Sequence, residues 1–325
     1  MSVDVARRWS SASMETRAPS AAFVETLGQL AASDPRVVVL TSDQAGECGL
    51  APFAEAHEGR FFNLGSAERN LIGVAAGMAV AGKVPFVVTS GSAASLAAGD
   101  LMRTTIARSG LHVILAAMPA GLEGSGGGVR HALEDLAVMM CIPNLRVVVP
   151  ADAAQTAQAA RALLAAPGPA YLRLIGRESP VVIDETTPFE LGAALTLREG
   201  TAMTLAATGA LTVEALLAAE QLEAQGIAAQ VLNLHTLKPL DVPSIRRAAK
   251  ETGGLVVAEE HYLRGGLGAA IAEEVARTHP VPIEFVAVED RFITGGLPDH
   301  LGPAVGLRAV AIVKAAERLR ERMRR

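Results

Sequence analysis

Aromatic side chains make up only 3% of this 325-residue sequence, with one tryptophan and two tyrosines among them. So thin a supply excludes a series of base-stacking platforms, and with it a protein built to hold single-stranded nucleic acid. Cysteine is scarcer still: Cys48 and Cys141 stand alone, in no metal-ligand spacing. Two such residues exclude a disulfide framework; both are expected to serve as packing residues, and they suit a reducing cytoplasm. No apolar run is long enough for a membrane span, because Gly, Ser and charges interrupt each one. Residues 1–20 carry Arg7, Arg8 and Arg17 without the apolar segment of a signal peptide. The expectation is a cytoplasmic protein without membrane or nucleic-acid partners. A surplus of basic charge is missing too, since the formal net charge is −5. The basic run at 318–325 reads as a solvated helix end.

Hydrophobic residues supply 50% of the chain. That is enough to bury a large core, and the length suggests two domains. Apolar β-rich runs alternate with Ala/Leu-rich helical stretches throughout, the mark of parallel sheets covered on both faces. The fold class expected is therefore α/β, with two domains of mainly parallel sheets flanked by helices. In the first, strands are expected near 36–41, 60–63, 85–89, 112–117, 145–149 and 170–175, with helices near 20–33, 68–82, 94–108, 133–140 and 153–166. In the second, strands fall near 202–207, 229–234, 254–258 and 284–288, and helices near 211–225, 241–252, 266–278 and 307–322. The boundaries are a loose lead-in over 1–15, a first domain over 16–177, a linker over 178–190 and a second domain over 191–325. Ligands of open parallel sheets bind outside the carboxyl ends of the strands. This directs attention to Asp43, Ser90 to Ser95, Met118 to His131 and Asp152.

One segment stands out. A short apolar strand ends at Asn63-Leu64-Gly65, and Leu71-Ile72-Gly73-Val74-Ala75-Ala76-Gly77 reads as a tightly packed helix, with Glu68 at its mouth. An acid there is either a helix-start charge favoured by the dipole or a working group. The Gly/Ala face behind it would let a backbone or a ligand approach closely.

Residues from about 16 to 320 resemble the C-terminal half of transketolase, a pyrimidine-binding domain followed by a small C-terminal domain. The segments that carry the resemblance are Arg36-Val37-Val38-Val39-Leu40-Thr41-Ser42-Asp43, Arg60 to Asn70 around Glu68, Ile142-Pro143-Asn144-Leu145-Arg146-Val147 with Pro150-Ala151-Asp152, Thr236-Leu237-Lys238-Pro239-Leu240-Asp241, and Glu259-Glu260-His261 before Gly265-Gly266-Leu267-Gly268. The resemblance implies that Glu68 hydrogen-bonds the pyrimidine ring nitrogen of thiamine diphosphate, and such a group should be shielded from water. It implies cofactor contacts from Asp43, Ser90, Ser92 and Ala93, and substrate contacts from Arg17, Arg177, Arg130 and His261. His131 is the acid/base candidate, with a loop histidine orienting backbone as its alternative. His235 reads as structural, and Gly265 to Gly268 as a tight turn opening a helix.

Several family features are missing. No Gly-Asp-Gly with a downstream Asn, the grip on diphosphate and Mg²⁺, occurs; Gly99-Asp100 runs into Leu101. The resemblance thus implies a split enzyme, with a second subunit holding the diphosphate and the metal and no metal ligands in this chain. The expected assembly is α2β2 with self-association, acting on a small-molecule substrate by two-carbon ketol transfer. No aromatic ring follows Pro85-Phe86 to stack on the pyrimidine, Arg130 takes the position of a sugar-binding histidine, and Met118 that of another. The Gly126-Gly127-Gly128 run predicts a pliable loop. Alternatives are the β subunit of a 2-oxoacid dehydrogenase E1 component, a deoxyxylulose-phosphate-synthase-like enzyme, or a non-catalytic regulatory or scaffold paralogue.

Overall fold

The computed structural model describes residues 15–123 and 127–324. The expected lead-in, apart from Glu15, and Gly126 of the glycine run lie outside the described residues.

Strand residues point alternately to the two faces of a sheet, and in the first sheet both faces are covered. Val37, Val39, Phe86 and Val88 pack with Phe23 and Leu27 on one side. Val38, Leu40, Val87 and Leu115 pack with Leu71, Ile72 and Ala75 on the other. This double burial is why the strands read as unbroken apolar runs. The sheet has seven strands in the spatial order Thr236–Lys238, Arg146–Val148, Ala170–Arg173, Ile114–Ala117, Val84–Thr89, Val37–Thr41 and Phe61–Asn63. All pairings are parallel except the first. A second sheet, in the order Ile283–Val288, Leu255–Tyr262, Met203–Ala207, Ala229–Asn233 and Leu195–Arg198, is parallel up to its last, antiparallel strand.

The chain departs from its expected elements where short segments depend on distant partners. Thr236–Lys238, from the second half of the chain, completes the edge of the first sheet. Lys238 then donates to the carbonyl of Met140 at 2.8 Å, and Asp241 caps the helix Val242–Thr252 through the Ser244 N–H at 3.0 Å. Thr16–Arg17 pairs antiparallel with Ser179–Pro180, and the helix Ala51–Ala56 fills a stretch with no expected element. The helix expected near 94–108 is irregular. It forms π-helical turns at Ala93–Ala97 and Met102–Ala107 joined through Gly99–Leu101, with Ser95 and Thr104 hydroxyls donating to the carbonyls of Gly91 and Asp100, both at 2.8 Å. Such back-bonding competes with regular helix geometry, and π-turns gather at functional sites.

Two expectations are corrected here. Cys141 is exposed at the end of the helix Asp135–Met140, so it is not a packing residue, whereas Cys48 is buried and its thiol donates to the carbonyl of Met118 at 2.9 Å. Asp152, expected among the residues facing a ligand, is turned to structural use. It is fully buried, caps the helix Ala153–Ala165 through the Gln155 N–H, and accepts from the Val182 and Ile183 N–H groups at 2.7 Å.

Candidate active site

After Val37–Thr41 the chain moves to Phe61–Asn63 on one side, then crosses back to Val84–Thr89 on the other. The order of strands therefore reverses at Val37–Thr41, and a crevice opens beyond the carboxyl ends of the strands at that point. A cavity of about 810 Å³ lies there. Its walls come from Ser42, Asp43, Gln44 and Glu47 after one strand, Ser90, Ser92 and Ala93 after its neighbour, and Ser66 and Glu68 at the start of the helix Glu68–Val80. Leu96, Ala97, Val129 and Arg130 close the rim.

Local chemistry fixes these walls. Asp43 adopts a left-handed backbone, φ 60°, which an Asp tolerates better than most residues. Asn63 holds it there, accepting from the Asp43 N–H at 2.9 Å and from the Gly65 N–H at 3.1 Å. Gln44 accepts from the Ser90 N–H at 2.6 Å, and the Ser42 and Thr89 hydroxyls share a hydrogen bond of 2.9 Å. The two strand ends are thus bolted together under the cavity floor. Gly91 must lack a side chain, because a Cβ would come within 2.6 Å of that of Ala132. The glycine at that point lets the serine turn sit directly on the 120–132 segment.

Glu68 is the first residue of its helix, half-buried and bordering the cavity. Asp43, Ser90, Ser92 and Ala93 border the same space, so the structure gathers all five cofactor candidates. Arg130 reaches the rim as well. His131 does not. Its side chain is buried and, among the described residues, Nδ1 has no hydrogen-bond partner. Burial pushes its pKa down, opposed by the charge of Glu260.

The other candidates also lie away from the cavity lining. His261 is fully buried; its Nδ1 donates to the Tyr262 carbonyl at 2.7 Å and its Nε2 accepts from the Ala137 N–H at 3.2 Å, which fixes its tautomer and joins the two halves of the chain. Arg17 pairs with Glu25 and lies 3.9 Å from Glu185. Arg177 pairs with Glu123 at 2.8 Å. The helix that follows the 265–268 turn has its first N–H groups occupied by Glu259, which accepts from Leu267 and Gly268 at 2.7 and 2.8 Å. His235 stacks on Phe189 with ring centroids 4.3 Å apart.

Sequence reasoning missed Gln44, Glu47, Ser66, Leu96 and Ala97, and gave Val129 only as part of the stretch from Met118 to His131. Leu96 and Val129 are 57% and 89% exposed, large apolar groups facing outward at the rim where no aromatic ring is available. Their signal was an apolar residue interrupting a small-residue run, which is too common to single out. The loop before Arg130 also packs more closely than its glycines suggest. A Cβ on Gly128 would meet the Ile293 carbonyl at 2.4 Å, and one on Gly127 would meet Gly295 at 3.2 Å. These glycines permit close packing against the second half of the chain, correcting the expectation of a pliable loop.

The lining suits one end of a cationic heteroaromatic cofactor, since Glu68, Asp43 and Glu47 face one arginine. Among the described residues, no cluster of three His, Cys, Asp or Glu side chains could hold a metal ion. No helix among them is long and apolar enough to cross a membrane.

Residues 15–179 match the model of the transketolase pyrimidine-binding domain and residues 192–312 that of the transketolase C-terminal domain. The chain is 40% identical over 301 residues to a 6-deoxy-6-sulfo-D-fructose transketolase subunit of Clostridium sp. strain MSTE9, covering 92% of this chain and 94% of that one. It is 35% identical to one of the apulose-4-phosphate transketolase subunits of Phocaeicola vulgatus, covering 90% and 95%. A solved split-gene transketolase, described as an inactive β4 tetramer, superposes with a TM-score of 0.86 at 38% identity, over 94% of this chain and 98% of the other. The two matched domains, in this order, make up the C-terminal half of a transketolase, the half that these subunit relatives share almost from end to end. The chain therefore belongs to the transketolase family, a thiamine-diphosphate-dependent class, through both of its domains.

Proposed function

We propose that this chain is the pyrimidine-binding subunit of a two-chain enzyme that moves a two-carbon ketol unit from a sugar-type donor to an aldehyde acceptor. The observation that carries this is Glu68: a lone carboxylate opening the helix Glu68–Val80, on the wall of a cavity at the sheet's switch point. In the net reaction the donor's C2–C3 bond breaks, a carbon–carbon bond forms to the acceptor's carbonyl carbon, and the donor's C3 hydroxyl becomes an aldehyde, with no net oxidation. When bound, thiamine diphosphate supplies the electron sink for that cleavage. Glu68 holds a proton at the pyrimidine ring nitrogen. Asp43, Ser90, Ser92 and Ala93 would hold the ring, and Leu96 and Val129 would supply apolar contact where no aromatic lines the cavity.

A second subunit holds the diphosphate and Mg²⁺, and its docking over the rim completes the shielding of Glu68. The inactive β4 tetramer of the solved relative supports this dependence on a partner. The assembly proposed is α2β2, cytoplasmic, with domain boundaries at 16–177 and 191–325. Arg130 is the substrate-binding side chain nearest the cofactor. His131 takes part in acid/base chemistry once its loop is covered, and Arg17, Arg177 and His261 act from the periphery.

Glu68→Gln in the complex assembled with the diphosphate-binding subunit tests the reading. Loss of the proton donor should lower kcat for ketol transfer by about 10²-fold or more. A complex that keeps its full rate contradicts it.

A further inference from the structure

A helix interior is a poor place for glycine, which forms helix less readily than alanine. Gly28 nonetheless lies within the helix Pro19–Ser33. Its backbone is not left-handed, and a Cβ built on it would meet nothing within 4 Å. Neither conformation nor close packing among the described residues therefore calls for glycine at this position. What Gly28 does is border a groove of about 490 Å³, walled by its own helix and the helix Ala51–Ala56. Gly46, whose Cβ would also meet nothing within 4 Å, borders the groove from the segment before the second helix.

The groove is apolar and carries no positive charge. Val24, Cys48, Pro52, Phe53 and Ala56 form its walls, and among the described residues no lysine or arginine borders it. Burial pushes the Cys48 thiol up to about 12, so it stays neutral. His57 borders the groove with its ring beside that of Phe53, centroids 4.9 Å apart. Its Nδ1 lies 2.8 Å from Arg60 Nη2; a guanidinium only donates, so Nδ1 accepts and the ring is the neutral tautomer protonated at Nε2. Of the two acids bordering the groove, Glu25 is engaged by Arg17 and by Gln29 at 3.3 Å. The other, Glu47, is exposed and borders the Glu68 cavity as well, so groove and cavity share a wall.

We propose that this groove receives the non-reacting end of the aldehyde acceptor whose carbonyl stands in the Glu68 cavity, and that it selects an uncharged, apolar tail over a phosphate- or sulfonate-terminated one. The proposal rests on the ketol-transfer reading of that cavity. Apolar walls gain by covering an apolar tail. An anion seated there would lose water, find no cation and face Glu47. The groove is as large as many small-molecule sites, so it can enclose a tail of several carbons. Gly28 and Gly46 then have their explanation: they leave the space in which the tail lies.

The tail takes no part in the bond changes. With hydroxypyruvate as donor, a proton is taken up, carbon dioxide leaves, and the remaining two carbons join the aldehyde carbon. The product is a 1,3-dihydroxy ketone that carries the acceptor's tail unchanged. Contacts in the groove therefore discriminate between acceptors through kcat/KM and leave the chemistry at the carbonyl as it is.

Ligand-detected NMR titration of the purified chain tests this without requiring turnover. Pentan-1-ol should bind with a Kd of about 1–10 mM, as fits so small a ligand. G28L puts a side chain into the groove from a position whose Cβ meets nothing, and leucine suits a helix better than glycine, so the variant should stay folded. It should weaken pentan-1-ol binding at least about tenfold, and pentyl phosphate should bind the unaltered chain at least about tenfold more weakly than the alcohol. A G28L chain that binds the alcohol equally well, or a pentyl phosphate that binds as tightly as the alcohol, overturns the proposal. In the enzyme assembled with a diphosphate-binding subunit and given hydroxypyruvate, kcat/KM for 2-hydroxypentanal over D-glyceraldehyde 3-phosphate should exceed about ten. G28L should cut the ratio for 2-hydroxypentanal over glycolaldehyde, which has no tail, at least about tenfold. A first ratio below one, or a second ratio that G28L leaves unmoved, also overturns it. An assembled enzyme inert toward every acceptor speaks against the proposed ketol transfer, while the NMR titration still decides what the groove takes.

Discussion

Single residues in this chain place titratable groups where water cannot follow, and burial favours their neutral forms. His235 is fully buried against Phe189, and burial pushes its pKa down to about 4. Glu123 is shifted the other way, to about 7. The signs are opposite in their effect on stability. Between about pH 4 and 6.5 the unfolded chain protonates His235 while the folded chain does not, so stability falls as the pH drops through that window. Between about pH 4.5 and 7 the folded chain protonates Glu123 while the unfolded chain does not, so stability rises as the pH drops. Each contribution is about 3 kcal/mol at full extent, and over the shared range they largely cancel. Urea midpoints measured from pH 7 to 5 should therefore change little in the unaltered chain on account of this pair. E123Q should expose a loss of stability on acidification, and H235Q should expose a gain. Neither shift was legible in the sequence, because burial of a lone His or Glu depends on which distant segments cover it. The position of Glu68 was legible, since it follows from local order: strand end, glycine, acid, small-residue helix.

At the scale of elements, most strands and helices could be read because their apolar periods are long and covered on both faces. The ones that escaped are short and held by partners far along the chain. Thr236–Lys238 is three residues whose strand identity comes from Arg146–Val148, and Ser179–Pro180 is two residues that pair with Thr16–Arg17. The strand Leu255–Tyr262 was expected to end near 258; it continues so that His261 meets the helix Asp135–Met140, Glu260 meets Arg173 and Glu259 meets the start of the helix Leu267–Thr278. That junction is a fully buried ionic knot. Arg173 donates to Asp135 at 2.8 Å and to the carbonyls of Ala132 and Glu260 at 3.1 and 2.9 Å, while Tyr171 donates to Asp135 at 2.7 Å. Removing the guanidinium strands two acids in the interior. R173M should cost about 3–5 kcal/mol, read from the denaturant midpoint, because breaking a buried pair on one side leaves the other uncompensated. A loss under about 1 kcal/mol would mean that Asp135 and Glu260 find water instead.

The whole molecule joins two mainly parallel sheets so that the second half of the chain supports the site without lining the cavity described here. The residues Ile293 to Gly295 press on the glycine loop, and Thr236–Lys238 extends the first sheet. The cavity itself belongs to the first sheet, at the point where strand order reverses, and it offers carboxylates and small polar groups for one end of a cofactor. The missing Gly-Asp-Gly and Asn motif was plain in the sequence; the identity of the rim residues was not, because exposed apolar side chains acquire meaning only once a cavity lies beside them. The account's central claim is that this chain holds half of a site. Titration of the purified chain with thiamine diphosphate and Mg²⁺, with ketol transfer assayed in the same samples, tests it most directly. The account predicts a Kd weaker than about 1 mM and no turnover until a diphosphate-binding subunit is added; micromolar binding with ketol transfer by the chain alone would contradict it.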